Sequence, residues 1–211
     1  MAVHATAVES DILGGNAKMT QICAHHSELH PCYVIVPHHT GEMSSGDKLV
    51  HYLQAGGARA VRMYPLKHCY KAGLTWCGAM YAVLAESGFP LLMDSESGQI
   101  SWSEVDEVMT AYPALKLILT RVNYRTERIL FPLLAKHPTL RVETELYLHY
   151  RGIAYICSAF GAHRLIYGSG MPVYSAAAAM ALVLYADVAA SVKRKIAGEN
   201  LLNLLSRDAP S

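Results

Sequence analysis

The sequence predicts an α/β fold of the (β/α) barrel type, and two patterns support this prediction. Short apolar runs recur along the chain, and each is followed by a polar or turn residue and then by an amphipathic helix. The runs that predict clear strands begin near positions 33, 59, 90, 115, 140 and 164, at spacings of 26, 31, 25, 25 and 24 residues. One strand, one helix and two short loops occupy such a length, so the spacing predicts six βα units.

The boundaries of these elements follow from turn and capping residues. Pro31 ends the first clear helix, and Pro37 closes the strand after it. Ser103 stands three residues before Asp106, a pattern that resembles a capping box, and Pro132 implies a kink or a late start in its helix. The predicted strands are 2–8 (a brief one), 32–36, 59–64, 90–93, 115–120, 140–144 and 164–167, and the predicted helices are 15–29, 47–54, 75–86, 101–111, 126–136, 150–160, 175–190 and 192–205.

Parallel strands joined by helical crossovers form either an open doubly wound sheet or a barrel. The even spacing and the lack of a Gly-x-Gly-x-x-Gly sequence after any strand favour the barrel. A chain of 211 residues is near the lower end of the roughly 200 to 250 residues of such barrels. We therefore expect one domain over residues 1–211.

Composition limits the partners of the chain. Apolar residues make up 52% and charged residues 17%, and a net charge of +1 gives no field that attracts nucleic acid or an acidic membrane surface. The most apolar run, Met171 to Ala186, is 16 residues long and contains Pro172, so it predicts a helix packed on the sheet rather than a membrane span. The start of the chain shows no signal peptide.

Five cysteines without a Cys-x-x-Cys pair favour reduced thiols in the cytoplasm. A small-molecule substrate is the expected partner.

Candidate site residues follow the predicted strands, because the loops at the carboxyl ends of barrel strands converge on one pocket. Imidazole and carboxyl groups there are candidates for acid and base catalysis, and a guanidinium is a candidate for binding a substrate carboxylate. The catalytic candidates are His38, His39 and Asp94, and the candidates for substrate binding are Tyr64, Arg121, Tyr124, Glu145 and Ser169.

Each candidate also has a structural interpretation. His38 and His39 also fit a solvated loop, and Tyr64 and Tyr124 also fit packing at the rim. Asp94 and Glu96 act either as an acid and a base or as residues that cap the following loop and form an ion pair. Arg121 either binds an anion or forms a salt bridge with Glu145, and Asp94 is a further possible partner of Arg121.

Three motifs resemble one family. Arg164-Leu-Ile-Tyr-Gly-Ser-Gly-Met-Pro172, Leu115-Lys-Leu-Ile-Leu-Thr120 and Lys195-Ile-Ala-Gly-Glu-Asn-Leu-Leu-Asn-Leu-Leu205 are similar to the amidohydrolase-related branch of the metal-dependent amidohydrolases. The resemblance implies a barrel hydrolase or decarboxylase with a divalent metal such as zinc. It also implies that residues 2–8 match the second family strand, so that the first strand is missing and the barrel is incomplete, with about seven strands.

The chain departs from the family at several metal ligands. Where the family has Gly-Ser/Thr-Asp-x-Pro, this chain has Gly170 at the Asp position, and Asp94 and Arg121 stand where the family usually has His. The chain also contains no His-x-His sequence. A catalytic zinc needs about three protein ligands, and of the family set only Asp94 remains as a metal ligand. We therefore expect the metal to be weakly held or absent.

Two functions follow as hypotheses. The first is a hydrolase, or a decarboxylase-like lyase, that acts on a small organic acid, amide or lactone. The second is a catalytically inactive barrel that serves as a ligand-binding or assembly subunit. An incomplete barrel exposes two sheet edges, so we also expect either a homo-oligomer or N-terminal residues that fold over the gap.

Overall fold

The computed structural model describes residues 1–95 and 98–206. Its strands are β1 (Cys32–Val34), β2 (Ala60–Arg62), β3 (Leu91–Asp94), β4 (Leu117–Thr120), β5 (Arg141–Glu143) and β6 (Leu165–Ile166). They form one parallel sheet in the order β1-β2-β3-β4-β5-β6. A doubly wound sheet reverses its strand order at a switch point, and this sheet does not. The sheet is thus the wall of an open (β/α) barrel, which confirms the predicted fold class.

Helices precede and follow each strand. They are α1 (Ala5–Glu9), α2 (Ile12–His25), α3 (Gly46–Ala55), α4 (Leu74–Ser87), α5 (Trp102–Ala111), α6 (Glu127–Lys136), α7 (Gly152–Phe160), α8 (Ala176–Leu184), α9 (Ala190–Arg194) and α10 (Asn200–Leu205). A π-helical segment, Lys195–Glu199, joins α9 to α10, so these three pieces follow one another directly. Short 3₁₀ turns lie at His38–Thr40, Tyr124–Thr126 and Ala162–Arg164. All six strands overlap with predicted strands.

The predicted strand over 2–8 is wrong. Ala2 forms one parallel bridge with Pro31, and the chain then enters α1. The imidazole of His4 caps this helix by accepting a hydrogen bond from the backbone N–H of Thr6 at 3.1 Å. Helix α1 packs so closely on α2 that a Cβ on Gly15 would lie 2.1 Å from the backbone nitrogen of Ala7. Capping and this close contact favour a helix over a strand.

The predicted capping box of α5 is also displaced. Ser101 accepts a hydrogen bond from the N–H of Glu104, and the Glu104 carboxylate accepts one from the N–H of Ser101 at 2.8 Å. Asp106 instead accepts hydrogen bonds from Lys136 and His137, both at 2.7 Å, and so ties α5 to α6. The box therefore begins two residues earlier than predicted.

The barrel interior has an apolar lower layer, which α10 closes. Side chains alternate along a strand, so every second residue faces the interior. The inner cluster combines strand residues with the C-terminal helix, and its buried members are Cys32, Ala60, Leu92, Ile118, Ile166, Leu204 and Leu205. A larger apolar cluster lies between the sheet and the outer helices. We call this inner cluster the apolar plug of the barrel. The polar residues of the interior must therefore lie above the plug, toward the carboxyl ends of the strands.

Both edges of the sheet are covered by the chain itself. The N–H of Cys32 donates to the carbonyl of Ala2 at 2.9 Å, and the N–H of Tyr167, just past β6, donates to the carbonyl of Ile196 at 3.0 Å. The Asn200 side chain holds the C-terminal helix in place by donating to two carbonyl oxygens beside β6. The N-terminal residues thus reach the β1 edge through one bridge, and the C-terminal segment reaches the β6 edge.

Among the described residues, none of the helices has both the length and the apolar character needed to cross a membrane.

Candidate active site

A polar layer lies above the apolar plug because of the two-residue period of the strands. Arg62, Asp94 and Thr120 each follow a member of the inner cluster by two residues, so they face the same interior. Glu143 at the end of β5 is paired in register with Ile166 of that cluster. The strands thus place a cation and two carboxyl groups at their carboxyl ends, where barrel enzymes bind substrates.

Five charged side chains form what we call the mouth cluster, namely Arg62, Asp94, Arg121, Glu143 and Glu145. The Nε of Arg121 lies 3.2 Å from Oδ2 of Asp94, and its Nη1 lies 4.0 Å from Oε1 of Glu145. The side chains of Asp94 and Glu145 are each only 9% exposed, so these contacts are partly shielded from solvent. The predicted ion pairs of Arg121 with Asp94 and Glu145 are therefore present.

Arg121 is also held from the far side of the mouth. Its Nη2 donates to the hydroxyl of Tyr174 at 2.9 Å, and the guanidinium carbon lies 5.2 Å from the centre of that ring. Burial works against the charge of Arg121, but Asp94, Tyr174 and Glu145 outweigh it and raise the pKa of the guanidinium. Arg121 has a φ of 56°, a conformation that strains a residue with a side chain. Strain of this kind is common where a side chain must be aimed at a ligand.

Glu143 and Glu145 form a carboxyl pair. Burial raises the pKa of Glu143 to about 7, with a further contribution from the charge of Glu145 and from the hydrogen bond between the two side chains. Burial also raises the pKa of Glu145, against the opposing charges of Arg121 and Arg62. Below about pH 7 the pair therefore holds a proton on Glu143, which is donated to the carboxylate of Glu145.

Two glycines of the loop after β6 make room for this pair. A Cβ on Gly168 would lie 1.9 Å from Oε1 of Glu143, and a Cβ on Gly170 would lie 2.8 Å from Oε1 of Glu145. Gly170 has in addition a φ of +67°, which side chains rarely adopt. Any side chain at these two positions would displace a carboxyl group of the mouth cluster.

Arg62 and Glu143 have hydrogen-bonding capacity to spare. Nη2 of Arg62 donates to Oγ1 of Thr120 at 3.1 Å, and the guanidinium lies over the ring of Tyr64. Within the described residues, however, neither Nε of Arg62 nor Oε2 of Glu143 has a hydrogen-bond partner, although both atoms are buried. Buried polar atoms normally have partners. A small polar ligand would supply them here.

The structure brings together most of the predicted substrate-binding residues. Arg121 contacts both Asp94 and Glu145. Burial raises the pKa of Tyr64 to about 12, so its phenol stays protonated near Asp94. Ser169 lies between the two glycines that contact the carboxyl pair, and its hydroxyl accepts a hydrogen bond from the N–H of Met171 at 3.3 Å. Ser169 thus shapes the loop beside the site.

The remaining predicted residues lie elsewhere. His39 faces a different cleft, which contains His68 and Cys69, and its Nε2 lies 3.0 Å from the carbonyl oxygen of Trp76. His38 stacks obliquely on His39, so both imidazoles belong to the loop after β1 and not to the mouth cluster. Tyr124 stacks on His149. The two histidines and Tyr124 are therefore not grouped with Asp94. Glu96 lies outside the described residues.

Fold and site together define an open (β/α) barrel with a charged mouth, and the comparisons with known proteins agree. A family model described as Amidohydrolase matches residues 20–205. The chain therefore belongs to the amidohydrolase family, and the resemblance inferred from its motifs is confirmed. No curated protein matches the chain in sequence.

Solved structures share the fold. The uncharacterised TIM-barrel protein Bb4693 from Bordetella bronchiseptica aligns over 91% of this chain and 72% of its own, with a TM-score of 0.77 and 18% identity. The 5-carboxyvanillate decarboxylase LigW from Sphingomonas paucimobilis aligns over 96% of this chain and 74% of its own, with a TM-score of 0.67 and 13% identity. The 2,6-dihydroxybenzoate decarboxylase from Rhizobium aligns over 94% and 77%, with a TM-score of 0.68 and 10% identity. The fold is thus that of TIM-barrel proteins of known structure.

Amidohydrolases usually depend on a metal, but the donor set of this mouth does not fit one. The described part of the chain contains no group of three His, Cys, Asp or Glu side chains arranged to hold a metal ion. Asp94, the one predicted ligand, already contacts the guanidinium of Arg121, and Arg62 adds a second positive charge that acts on both glutamates. With Glu143 protonated, the two guanidinium groups balance the charges of Asp94 and Glu145, so the cluster offers no net negative charge to a divalent cation.

Sequence reasoning missed one member of the mouth cluster, Arg62, and placed Glu143 among the residues at the strand ends without choosing it as a site residue. Arg62 lies inside strand β2 and not in the loop after it. An available signal was the strand Ala60–Arg62 itself, because a charged residue in an otherwise apolar strand, in step with Ala60, faces the barrel interior. Tyr174 was missed as well, because its contact with Arg121 joins residues 53 positions apart.

Proposed function

We propose that the chain is a decarboxylase-like lyase of small organic acids, which acts by proton transfer at the mouth cluster without a resident metal. Arg121 and Arg62 bind the carboxylate of the substrate, and Glu143 donates a proton to the carbon that loses CO₂. The single observation that carries this proposal is the buried carboxyl of Glu143, whose pKa is raised to about 7 although the guanidinium of Arg62 acts against the rise. A proton donor is most effective when its pKa lies near the working pH.

The proposed step is balanced within the site. The bond between the substrate carbon and its carboxylate carbon breaks, and CO₂ leaves. The electron pair of that bond takes the proton of Glu143, which becomes a carboxylate and is reprotonated from solvent. Glu145 and Asp94 keep the guanidinium of Arg121 in position, and a planar guanidinium binds a carboxylate through two parallel hydrogen bonds.

Lyase chemistry suits this site better than hydrolysis. Hydrolysis requires an activated water in addition to a proton donor, and the metal that would activate such a water does not fit the donor set. Decarboxylation requires only the anion site and the proton. The unused Nε of Arg62 and Oε2 of Glu143 support a polar ligand at this position. Two of the similar structures are decarboxylases, which favours the same reaction class.

The test is release of CO₂ from a panel of β-keto acids and hydroxybenzoates, measured before and after dialysis against EDTA. We expect turnover of at least one acid, unchanged by EDTA. Glu143→Gln lowers kcat roughly 100-fold or more, because a general acid contributes about 10²- to 10⁴-fold, while Arg121→Met raises KM. Glu107→Gln, an exposed carboxyl on α5, is the matched control. Full activity of the Glu143 variant would refute the proposal.

A second candidate is a ligand-binding barrel without catalysis. One observation favours it. Asp94, Glu145 and Tyr174 already hold the guanidinium of Arg121 in place, so the anion site is formed whether or not a proton is transferred. An acid that binds in calorimetry only when Arg121 is present, and that is not turned over, would support this candidate.

We further propose a cytoplasmic homo-oligomer. The five cysteines are all free thiols, which supports a reducing compartment. Met171 is 66% exposed and Val173 is 72% exposed, and such apolar surface supports contact with a second copy. Sedimentation equilibrium tests the assembly, and a monomer at all concentrations would contradict it.

A further inference from the structure

A second constellation of polar side chains lies outside the mouth cluster. Nδ1 of His149 lies 2.7 Å from Oε1 of Glu127, and the hydroxyl of Tyr147 donates to the same carboxylate oxygen. Burial raises the pKa of Tyr147, so its hydroxyl keeps the proton that it donates. A carboxylate only accepts hydrogen bonds, so Nδ1 of His149 carries a proton and Nε2 is the basic nitrogen. This is how a carboxylate orients an imidazole base.

The imidazole has two further neighbours besides Glu127. Tyr124 stacks on it with an interplanar angle of 14° and a centroid distance of 6.2 Å. Gly152 lies against it, because a Cβ at that position would be 2.9 Å from Nδ1 of His149. A ring held by a hydrogen bond to a carboxylate, a stacked aromatic ring and a close backbone contact loses little freedom when it acts on a ligand.

His149 lines a groove of about 660 Å³ between α7 and α8. The walls are mainly apolar, and Tyr150 and Tyr185 are 85% and 87% exposed. The charged residues of the groove, Arg151 and Asp187, neutralise each other at 2.6 Å. No member of the mouth cluster lines this groove, so it is a separate site. Its volume and apolar lining suit a small uncharged ligand.

The first turn of α7 borders the same groove. Residues 152–154 line it, and no side chain caps this helix. The N–H of Gly152 donates to the carbonyl of His149 at 3.2 Å, and the N–H groups that follow it in an uncapped first turn stabilise negative charge on a nearby oxygen. Arg151, the residue before the helix, has a φ of 58°, which is strained for a residue with a side chain. The groove thus combines a base, its orienting carboxylate and N–H donors.

We propose that the groove between α7 and α8 is a second active site that hydrolyses small uncharged carboxylic esters, with His149 as the general base and Glu127 as its positioning residue. Nε2 of His149 takes a proton from water as the water oxygen bonds to the ester carbonyl carbon. The bond to the alcohol oxygen then breaks, and the leaving alkoxide takes the proton from the imidazolium. The products are a carboxylic acid and an alcohol, and no further reactant is needed.

The test uses the full chain with p-nitrophenyl acetate and p-nitrophenyl butyrate as probes. We expect hydrolysis above the buffer rate, lowered about 100-fold by His149→Ala and partly restored to that variant by free imidazole. Glu127→Gln lowers kcat with little change in KM. The matched control is His26→Ala, because His26 forms an exposed pair with Glu28 at 3.3 Å and does not border the groove.

A second variant tests the site without changing His149 or Glu127. Gly152→Ala places a methyl group against the imidazole and lowers the rate, while circular dichroism confirms that the variant is folded. The proposal is overturned if neither ester is hydrolysed above the buffer rate, or if His149→Ala retains the full rate. A loss in His26→Ala equal to that in His149→Ala also overturns it, because any surface imidazole would then suffice.

Discussion

The pH dependence of folding is the sharpest consequence of the carboxyl pair. The pKa of Glu143 rises from its ordinary value of 4.5 to about 7 in the folded chain. Since one pKa unit corresponds to about 1.4 kcal/mol, ionising the folded Glu143 costs on the order of 3 kcal/mol. We expect about 2 kcal/mol, because solvent screens the part of the side chain that it reaches.

The sign follows from proton linkage. The unfolded chain loses this proton near the ordinary pKa, whereas the folded chain keeps it until the pH reaches about 7. The contribution of Glu143 to stability is thus fully present below the ordinary pKa and is lost as the pH rises through about 7. Glutamine cannot ionise, so Glu143→Gln removes this pH dependence.

The assay is urea unfolding of the wild type and of Glu143→Gln at about pH 5 and about pH 8. From about pH 5 to about pH 8, we expect the free energy of unfolding of the wild type to fall by about 2 kcal/mol relative to that of Glu143→Gln. Glu107→Gln, on the exposed face of α5, controls for the general effect of removing a carboxyl group. An equal free-energy difference between variant and wild type at both pH values would refute the raised pKa.

Three further predictions concern stability, each measured by urea unfolding. Gly170→Ala costs about 1 to 3 kcal/mol, because its φ is +67° and its Cβ would collide with Glu145, and an unchanged midpoint would contradict that contact. Arg164→Met costs about 3 kcal/mol or more, because this 3% exposed guanidinium satisfies three backbone carbonyls at the end of α6, and a loss below about 1 kcal/mol would argue against that role. Leu205→Ala in the barrel plug costs about 2 to 5 kcal/mol, whereas Leu202→Ala, at a 56% exposed position, costs much less, and equal losses would show that α10 does not close the barrel.

The regular part of the fold was predictable because its signals are local. Each strand is an apolar run next to a turn residue, so all six units could be located from the sequence. The N-terminal segment could not, because its helix depends on His4 as a cap and on the contact of Ala7 with Gly15. Ser101, rather than Ser103, caps α5, and the sequence did not distinguish them because two serines only two residues apart offer nearly equal signals.

The candidate site was predictable where it depends on strand ends. Asp94, Arg121 and Glu145 follow three adjacent strands, so the topology alone brings them together. Long-range pairs gave no such signal. Glu127 and His149 lie on different elements, and only the packing of α6 against the loop before α7 joins them. His38 and His39 also follow a strand, but their loop places His39 in a cleft that contains His68 and Cys69.

The most direct test of the mouth as a proton-donating site is the charge of Glu143 itself. Carbon-13 NMR of chain labelled at the glutamate carboxyl groups, with the Glu143 signal assigned by its absence from Glu143→Gln, follows that charge as the pH changes. We predict a signal that titrates at about pH 7 and is still protonated at about pH 6. A signal that titrates near 4.5, the ordinary value, would contradict the proposed proton donor.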